Sequence, residues 1–261
     1  MQPGSLTKGR FPAFTDFPTM TYCVAMRLES GLIFASDSRT NAGVDNIATF
    51  QKMYTFEMAD RLRLVMMTSG NLATSQSVAS LLDLRSRRDG PDSLRSIGSL
   101  YDAAVLVGQT LREVIARGGD GQVDLGSSFL LGGQLAGERP RLFNIYPQGN
   151  FIEATADTPC FQIGETKYGK PILDRVLNYR SSLEEAIRCA LISLDSTMRS
   201  NLSVALPIHL MWHRNDDFSP RSPLRIGEDD GYFRELRAAW GRGIKETFAA
   251  LPTTPWSEEL A

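Results

Sequence analysis

The sequence predicts an α+β fold in which two antiparallel sheets lie face to face and helices cover their outer sides. Blocks of strand-like residues are separated by pairs of segments with apolar residues at helical spacing. Short turns containing glycine join consecutive strand-like runs, which is typical of antiparallel hairpins. The composition, 42% hydrophobic and 22% charged over 261 residues, is that of a globular chain. Because no linker or repeat interrupts the pattern, we expect one domain, spanning residues 21–251.

The first half of this domain begins with strands and ends with two helices. A hairpin is predicted where the turn at residues 29–31 joins two apolar runs. The polar segment 41–45 is expected to be a loop. Helices are predicted at about residues 71–88 and 100–117, where arginine, glycine and proline mark their ends. The predicted strands are TYCVAMRL, LIFASDS, FQKMYTFE (with Lys52 inside it) and LRLVMMTSG.

The second half repeats this order of strands and paired helices. Strands are predicted in SSFLLGGQ, in RLFNIYPQGN and in FIEATADTPCFQIG, treated as a single strand. Helices at about residues 167–177 and 183–198 then precede an apolar strand, SVALPIHLMWH. A last helix is predicted at about residues 232–251, and residues 252–261 are expected to form a flexible tail.

The first twenty residues differ in character from the domain. They contain three prolines and three phenylalanines but no continuous apolar core, so they do not fit a signal peptide. Strand patterning starts abruptly at Thr21, directly after a second methionine, Met20. Three explanations stay open. Residues 1–20 form an N-terminal extension, form a propeptide that is cleaved, or reflect a start codon placed too early, with translation from Met20.

Composition excludes several classes of function. A net charge of -2 gives no electrostatic support for nucleic-acid binding. No window approaches the roughly 18 apolar residues of a membrane span. Three scattered cysteines favour a reducing cytoplasm. His209 and His213 lack a third ligand, so no metal site and no cofactor are expected. No nucleotide motif is present either, so any ATP-driven unfoldase that cooperates with the chain would be a separate protein.

Three polar residues, Thr21, Asp37 and Lys52, stand in an otherwise apolar region. Taken singly, Asp37 caps a turn and Lys52 points outward from its strand. Taken together they fit one chemistry. If residues 1–20 are absent, Thr21 carries a hydroxyl and a free α-amine, whose pKa of roughly 8 allows it to act as a base at neutral pH. Lys52 would keep the pKa of that amine low, and Asp37 would fix Lys52 by a salt bridge.

An oxyanion hole is predicted at residues 68–71, which close a strand and open a helix. The N–H groups at a helix start are unsatisfied, and the helix dipole favours negative charge there. Such N–H groups stabilise the charge that develops in acyl transfer, and Gly70 is the candidate donor. A plain strand–helix turn capped by Ser69 or Asn71 is the alternative interpretation.

A family resemblance follows from the ordered motifs MTYCVAMRLESGLIFASDSRTNAG, QKM and TSGNLA. They resemble the proteasome β-subunit family of N-terminal nucleophile hydrolases, and with DSTMRSNLSV they are most similar to its bacterial Anbu (ancestral β subunit) branch. The resemblance implies a four-layer αββα sandwich, a threonine peptidase and self-assembly into a ring or spiral. It assigns the nucleophile to Thr21, and the paired acid and base to Asp37 and Lys52. It assigns the oxyanion N–H to Gly70.

The resemblance also implies residues that bind substrate or support the nucleophile. Thr40 and Asn41 would hold an extended peptide through main-chain hydrogen bonds. Thr68 is likewise expected to contact substrate. Ser203 would support the threonine from a turn whose family pattern is Asp-x-x-Ser.

Two departures from the family pattern accompany the resemblance. The family's Gly-Ser-Gly turn corresponds to Gly164-Glu165-Thr166, and its Asp-x-x-Ser turn corresponds to residues 200–203, which retain Ser203 but lack the aspartate. A carboxylate at Glu165 would bind the α-amine and raise its pKa, which would slow catalysis at neutral pH.

The leading hypothesis is therefore a threonine-type peptidase that acts on peptides or proteins in a homo-oligomeric assembly. A non-catalytic structural subunit of the same fold is one alternative, although it would need neither a nucleophile nor the lysine–aspartate pair. An amidase of the same superfamily that acts on a small substrate is the other.

Overall fold

The structure is a computed structural model that describes residues 21–41, 47–118 and 124–256. The expected N-terminal segment of residues 1–20, most of the loop predicted after Asn41 and the end of the predicted tail lie outside the described residues. Among the helices of the described ranges, none is both long and apolar enough to cross a membrane.

The first half of the domain folds as six strands and two helices. Their bounds are β1 (Tyr22–Leu28), β2 (Gly31–Ser36), β3 (Arg39–Asn41), β4 (Ile47–Thr49), β5 (Met53–Met58), β6 (Leu62–Gly70), α1 (Leu72–Arg85) and α2 (Leu100–Arg117). The four predicted strands appear as β1, β2, β5 and β6, and both predicted helices are present. The second predicted helix matches α2 at both ends.

The second half adds six strands and three helices. Their bounds are β7 (Ser127–Leu135), β8 (Arg141–Ile145), β9 (Phe151–Glu153), β10 (Cys160–Gly164), α3 (Lys170–Val176), α4 (Leu183–Ser200), β11 (Ile208–Arg214), β12 (Leu224–Ile226) and α5 (Gly231–Ala249). The three helices predicted in this half appear as α3, α4 and α5. Ser182 closes a capping box with Glu185 at the start of α4, which explains why this helix begins where it does.

Ten of these strands form two antiparallel five-stranded sheets. The first sheet has the order β10-β1-β2-β11-β12, and the second has the order β5-β6-β7-β8-β9. Apolar residues of α1 and α2 pack on the outer face of the second sheet, whereas residues of α3, α4 and α5 pack on the first. The predicted four-layer αββα sandwich is therefore confirmed. Strands β3 and β4 form a separate short pair.

A third apolar layer fills the space between the two sheets. The period-2 alternation of β1 divides its side chains between layers. Tyr22, Val24 and Met26 pack toward the helices, whereas Cys23 and Ala25 pack against the second sheet. All seven residues of β1 are buried. The strand that begins next to Thr21 is therefore a central and inaccessible element of the fold.

The prediction of one strand in FIEATADTPCFQIG is wrong, because this segment forms two strands in different sheets. Strand β9 belongs to the second sheet and β10 to the first. A polar turn separates them, in which the Thr158 N–H donates to the Thr155 hydroxyl at 3.1 Å. This side-chain hydrogen bond gives the backbone an alternative to the sheet ladder. The turn carries the chain from one sheet to the other.

Other strand boundaries also differ from the sequence prediction. Strand β11 begins only at Ile208, because Pro207 before it has no N–H to give to a ladder. Lys52 precedes β5 instead of lying inside it, although its carbonyl accepts the Thr68 N–H at 3.0 Å. The three-residue strands β3, β4 and β12 were not predicted, because three residues are too few to show the alternation of a strand.

A buried polar cluster joins the two sheets near the hairpin between β1 and β2. His213, which is 1% exposed, lies with Nε2 3.0 Å from Gln134 Oε1. Gln134 also binds Asp216, through a 2.7 Å bond from its Nε2 and a 2.8 Å bond from the Asp216 N–H. An amide oxygen can only accept, so His213 Nε2 carries the proton. Burial, reinforced by the positive charge of Arg63, lowers the pKa of His213 to about 4.

We predict that His213 makes the stability of the fold depend on pH. Between its ordinary pKa of 6.5 and about 4, the unfolded chain binds a proton that the folded chain excludes. The free energy of unfolding should therefore fall by about 2–3 kcal/mol as pH decreases through this window. Urea unfolding across the window should show that His213→Gln loses this dependence, whereas His209→Gln, a change at the half-buried histidine, keeps most of it. An equal slope in the parent and in His213→Gln would contradict this assignment.

Candidate functional site

Thr21 lies at the start of β1, where strand β10 holds it closely. Its carbonyl oxygen accepts a hydrogen bond from the Glu165 N–H at 2.7 Å. Gly164 pairs with Tyr22 and has a φ of 85°. A Cβ atom at this position would lie 1.9 Å from the Thr21 carbonyl oxygen. Only glycine therefore allows this approach. Thr21 is 7% exposed, so its surroundings are set by protein groups and only marginally by water.

The residue after Thr21 fixes the strand to a helix and to a neighbouring strand. The Tyr22 hydroxyl bonds to the Ser193 hydroxyl on α4 and accepts a hydrogen bond from the Gln162 amide on β10. Burial raises the pKa of Tyr22, so the phenol stays protonated. These contacts span the layer between sheet and helix, and they restrict the position of Thr21 along the strand axis.

Asp37 and Lys52 form a buried ion pair beside the start of β1. The distance from Lys52 Nζ to Asp37 Oδ1 is 2.8 Å, and the two residues are 3% and 0% exposed. Asp37 Oδ1 also accepts the Tyr22 N–H at 3.0 Å, and the Asp37 N–H donates to the Tyr22 carbonyl at 3.1 Å. Lys52 additionally donates to the Arg39 carbonyl. The interpretation of Asp37 as a turn cap and Lys52 as an outward-pointing residue is therefore wrong.

The electrostatics of this region are dominated by burial. Burial raises the pKa of the Asp37 carboxyl, and the charge and hydrogen bond of Lys52 oppose that shift. Cys23 lies close to the pair, and burial raises its thiol pKa as well. Its Sγ points to the Thr68 carbonyl at 3.6 Å. Cys23 therefore stays a neutral thiol beside the ion pair.

Gly70 ends β6 and stands at the entry to α1, as the sequence predicts. Its φ of 111° is accessible to glycine, and a Cβ there would lie 2.5 Å from the Gly126 carbonyl oxygen. Asn71 caps the helix, because its side chain accepts the Thr74 N–H at 3.1 Å. The interpretation of Asn71 as the helix cap is therefore confirmed. The oxyanion role of Gly70 stays a prediction. Thr68 is buried two residues earlier in the same strand.

Ser203 lies in the turn that follows α4. Its N–H donates to Asn201 Oδ1 at 3.0 Å. The neighbouring Leu202 carbonyl accepts from the Arg39 guanidinium at 2.8 Å, so the turn rests against the chain that follows Asp37. Ser203 itself is half-buried, and its supporting role stays a prediction.

Thr40 and Asn41, the residues expected to hold a peptide, belong to β3. Their backbones pair with Ala48 and Ile47 of β4. Their side chains lie outside the described part of the structure. The role assigned to them from the resemblance stays a prediction.

Two contacts of the site could not be inferred from the motifs. Ser69 Oγ lies 3.1 Å from where a Cβ on Gly164 would sit, so this hydroxyl faces the residue that touches Thr21. Asn201 Nδ2 donates to Glu165 Oε2 at 2.9 Å. A hydroxyl or amide side chain has too many possible partners for sequence spacing to identify one.

The arrangement can support acyl transfer by a hydroxyl at Thr21. Asp37 binds both Lys52 Nζ and the N–H of Tyr22, the residue after Thr21, and Gly70 lies at the junction of β6 and α1. Within residues 21–41, 47–118 and 124–256, no three His, Cys, Asp or Glu side chains come together as a set able to hold a metal ion.

Comparisons with known proteins are consistent with this geometry. The family model described as "Proteasome subunit" matches residues 19–206. The chain is similar to Anbu (ancestral beta-subunit) from Yersinia bercovieri, with 56% identity over 90% of this chain and 98% of the other and a TM-score of 0.87. No match was found among curated proteins.

Two further solved structures show the same similarity. The helical assembly of the Anbu complex from Pseudomonas aeruginosa has 54% identity, covers 91% of this chain and 99% of the other, and gives a TM-score of 0.88. Anbu from Hyphomicrobium sp. strain MC1 has 47% identity, covers 90% and 99% of the two chains, and gives a TM-score of 0.84.

We predict that breaking the buried ion pair destabilises the fold. Lys52→Met should lower the free energy of unfolding by about 3–5 kcal/mol, because Asp37 is left charged and unpaired in a buried site. The double variant Lys52→Met/Asp37→Asn should recover much of that loss. Both are measured by urea unfolding at one protein concentration.

The matched control is the exposed pair of Lys170 and Asp174. It has the same 2.8 Å separation, but its side chains are 60% and 57% exposed. Lys170→Met should cost less than about 1 kcal/mol. An equal loss in the free energy of unfolding for Lys52→Met and Lys170→Met would mean that the Lys52–Asp37 pair is solvated, which would contradict a buried functional site.

Proposed function

The chain belongs to the proteasome subunit family, and from this premise we propose that it is a threonine-type hydrolase that cuts peptide bonds with Thr21 as its nucleophile. The family model and the Anbu structures confirm the resemblance predicted from the sequence motifs. A hydrolase of the N-terminal nucleophile class follows from the family. Peptide specificity and the role of Thr21 are the proposal.

The observation that carries the proposal is the unit formed by Lys52, Asp37 and the Tyr22 N–H. Asp37 Oδ1 accepts from both Lys52 Nζ and the N–H of Tyr22, the residue that follows Thr21, and this supports a role for the pair at Thr21. A buried pair adds little net stability compared with well-packed apolar residues. A purely structural subunit would therefore gain nothing from keeping it. A site that needs a fixed positive charge next to a hydroxyl does gain from it.

The proposed reaction begins with a proton transfer within Thr21. The hydroxyl proton moves to the free α-amine, directly or through one water, and Oγ attacks the carbonyl carbon of the substrate. Lys52 stabilises the developing alkoxide and keeps the pKa of the amine low. The Gly70 N–H would stabilise the oxyanion.

The intermediate then collapses to an ester. The carbon–nitrogen bond of the substrate breaks, and the α-ammonium returns its proton to the leaving amine. Water next attacks the ester, gives its proton to the α-amine and releases the acid, which restores the Thr21 hydroxyl. The proposed peptide contacts are Thr40 and Asn41, whose edge would pair with an extended chain, together with Thr68. Ser203 would support Thr21 from the turn after α4.

This chemistry requires that the mature chain begin at Thr21. With residues 1–20 attached, the nitrogen of Thr21 is an amide and cannot act as a base. We propose that translation starts at Met20 or that a cleavage removes the preceding residues, and that the protein works in the cytoplasm. The three cysteines are free in the structure, which fits a reducing compartment.

We further propose that the chain assembles with copies of itself through the exposed face of α5. The Pseudomonas aeruginosa relative is described as a helical assembly. A groove of about 900 Å³ runs between α5 and the helices α3 and α4. Tyr232, Ile244, Phe248 and Leu251 are each at least half exposed along or beside it. Together they offer on the order of 400 Å² of apolar surface, about half of what one partner contributes to a standard interface.

We predict that covalent labelling of Thr21 requires both its hydroxyl and its α-amine. A peptidyl epoxyketone carries a ketone that takes the hydroxyl and an epoxide that the amine opens, so it reacts fully only with a free N-terminal threonine. Protein expressed from Met20 should be labelled at Thr21, as read by intact mass and peptide mapping. Thr21→Ala should lose the label, and peptide hydrolysis should fall at least about 10³-fold.

Thr21→Ser is the matched control, since it keeps a hydroxyl and an amine and should retain labelling. A mature mass that starts elsewhere than Thr21 would remove the mechanism. Equal hydrolysis by the parent and by Thr21→Ala would leave the non-catalytic subunit as the better account.

We predict that charges on the apolar face of α5 reduce the size of the assembly. The double variant Ile244→Asp/Phe248→Asp should sediment as a smaller species than the parent, because burying two carboxylates in the interface is costly. Lys245→Asp adds a carboxylate on the opposite face of the same helix and should leave the assembly intact. Sedimentation unchanged by the double variant would exclude this face, provided that circular dichroism shows an intact fold.

A further inference from the structure

The two places where this chain departs from the family pattern contact each other. The resemblance aligns the turn of Glu165, after β10, with the family's Gly-Ser-Gly, and the turn of Asn201, after α4, with its Asp-x-x-Ser. Asn201 Nδ2 donates to Glu165 Oε2 at 2.9 Å. The other oxygen, Oε1, lies 3.5 Å from Lys167 Nζ. The Glu165 side chain is 11% exposed, so its carboxylate is mostly enclosed.

The backbone fixes Glu165 against the proposed nucleophile. The Glu165 N–H donates to the Thr21 carbonyl at 2.7 Å. The preceding Gly164 packs so closely on the same carbonyl that no side chain would fit there. Glu165 therefore lies directly opposite Thr21 where β10 meets β1, a position from which the two side chains project to the same face of the sheet.

Asn201 connects this carboxylate to the other half of the site. Its own N–H caps α4 by donating to the Thr197 carbonyl at 2.8 Å. The next residue, Leu202, accepts from the Arg39 guanidinium. The Arg39 carbonyl in turn accepts from Lys52, which binds Asp37.

These contacts close a loop of hydrogen bonds around Thr21. From Lys52 the loop passes through Asp37 to the Tyr22 N–H, and Tyr22 is bonded covalently to Thr21. The Thr21 carbonyl then returns the loop to Glu165. The loop thus links the buried pair of Lys52 and Asp37, through Tyr22 and Thr21, to Glu165.

We propose that Glu165, held by Asn201, is a positioning residue that binds the α-ammonium of mature Thr21 and retains its proton to higher pH. This inference rests on the proposed function, because it needs a free α-amine at Thr21. The free amine, and with it the proposed hydrolysis, would then become available only at higher pH.

The balance of charges around Thr21 gives the sign of this effect. The positive charge of Lys52 favours the unprotonated amine, and its close partner Asp37 offsets part of that effect. Lys167 is 76% exposed, and its charge is screened by water and salt. The Arg39 guanidinium also binds its carbonyl partner in an exposed position. The Glu165 carboxylate is enclosed and is therefore less screened than these exposed charges. A nearby negative charge favours the protonated amine and so raises its pKa.

The test measures the protonation of the amine itself, independently of hydrolysis. Protein that starts at Thr21 is treated with a trace of acetic anhydride over a range of pH, and acetylation of the N-terminal peptide is quantified by mass spectrometry. Because only the unprotonated amine reacts, the midpoint reports its protonation. Glu165→Gln should lower the midpoint by about 1 pH unit. Asn201→Asp should raise it, since it adds a second carboxylate to the cluster.

Glu184→Gln on the exposed surface of α4 removes the same charge elsewhere and should leave the midpoint unchanged. Repeating the series in a Thr21→Ala background should give the same shifts, because that variant keeps the α-amine. Equal midpoints in the parent, Glu165→Gln and Asn201→Asp would overturn this inference alone. A mature chain without Thr21 at its N-terminus would overturn the proposed function together with it.

Discussion

The buried ion pair between the two sheets determines which chain segments must meet at the site. Lys52 and Asp37 are almost fully buried, and removing such charges from water costs several kcal/mol for each ion. That cost is offset only when the remaining donors and acceptors find partners, and here the backbones of Tyr22 and Arg39 supply them. Three segments, the start of β1, the end of β2 and the start of β5, must therefore meet in register before the pair is tolerated.

The composition explains why such a pair is placed beside a threonine. The chain has two histidines, and His213 serves a polar cluster near the β1–β2 hairpin. Under the proposed function, the base that titrates near neutral pH is the α-amine of mature Thr21, whose intrinsic pKa is suitable. In the proposed mechanism this amine exists only when no residue is bonded before Thr21, so the site would become active when the mature N-terminus forms.

Sequence reasoning located the features that depend on local signals. The turn at residues 29–31 and the limits of α2 were predicted because glycine, caps and periodicity act over a few residues. Thr21, Asp37 and Lys52 were singled out because a hydroxyl and two charges are conspicuous in an otherwise apolar region. The split of β9 from β10 was missed, since a polar turn inside an apolar run looks the same whether the chain stays in its sheet or leaves it. The bond between Asn201 and Glu165 joins distant polar side chains and has no signature in spacing.

The passage of the chain from one sheet to the other has a mechanical consequence. Ala154 is bonded to Leu142 of the second sheet, and Pro159 accepts the Arg27 N–H of the first, so one short turn spans the thickness of the sandwich. Strand β10 follows directly, and Gly164 at its end packs against the Thr21 carbonyl. A change in side-chain volume anywhere in the inner layer alters the gap that this turn must bridge. The position of the proposed nucleophile is thus coupled, through this turn and β10, to side-chain packing in a distant part of the inner layer.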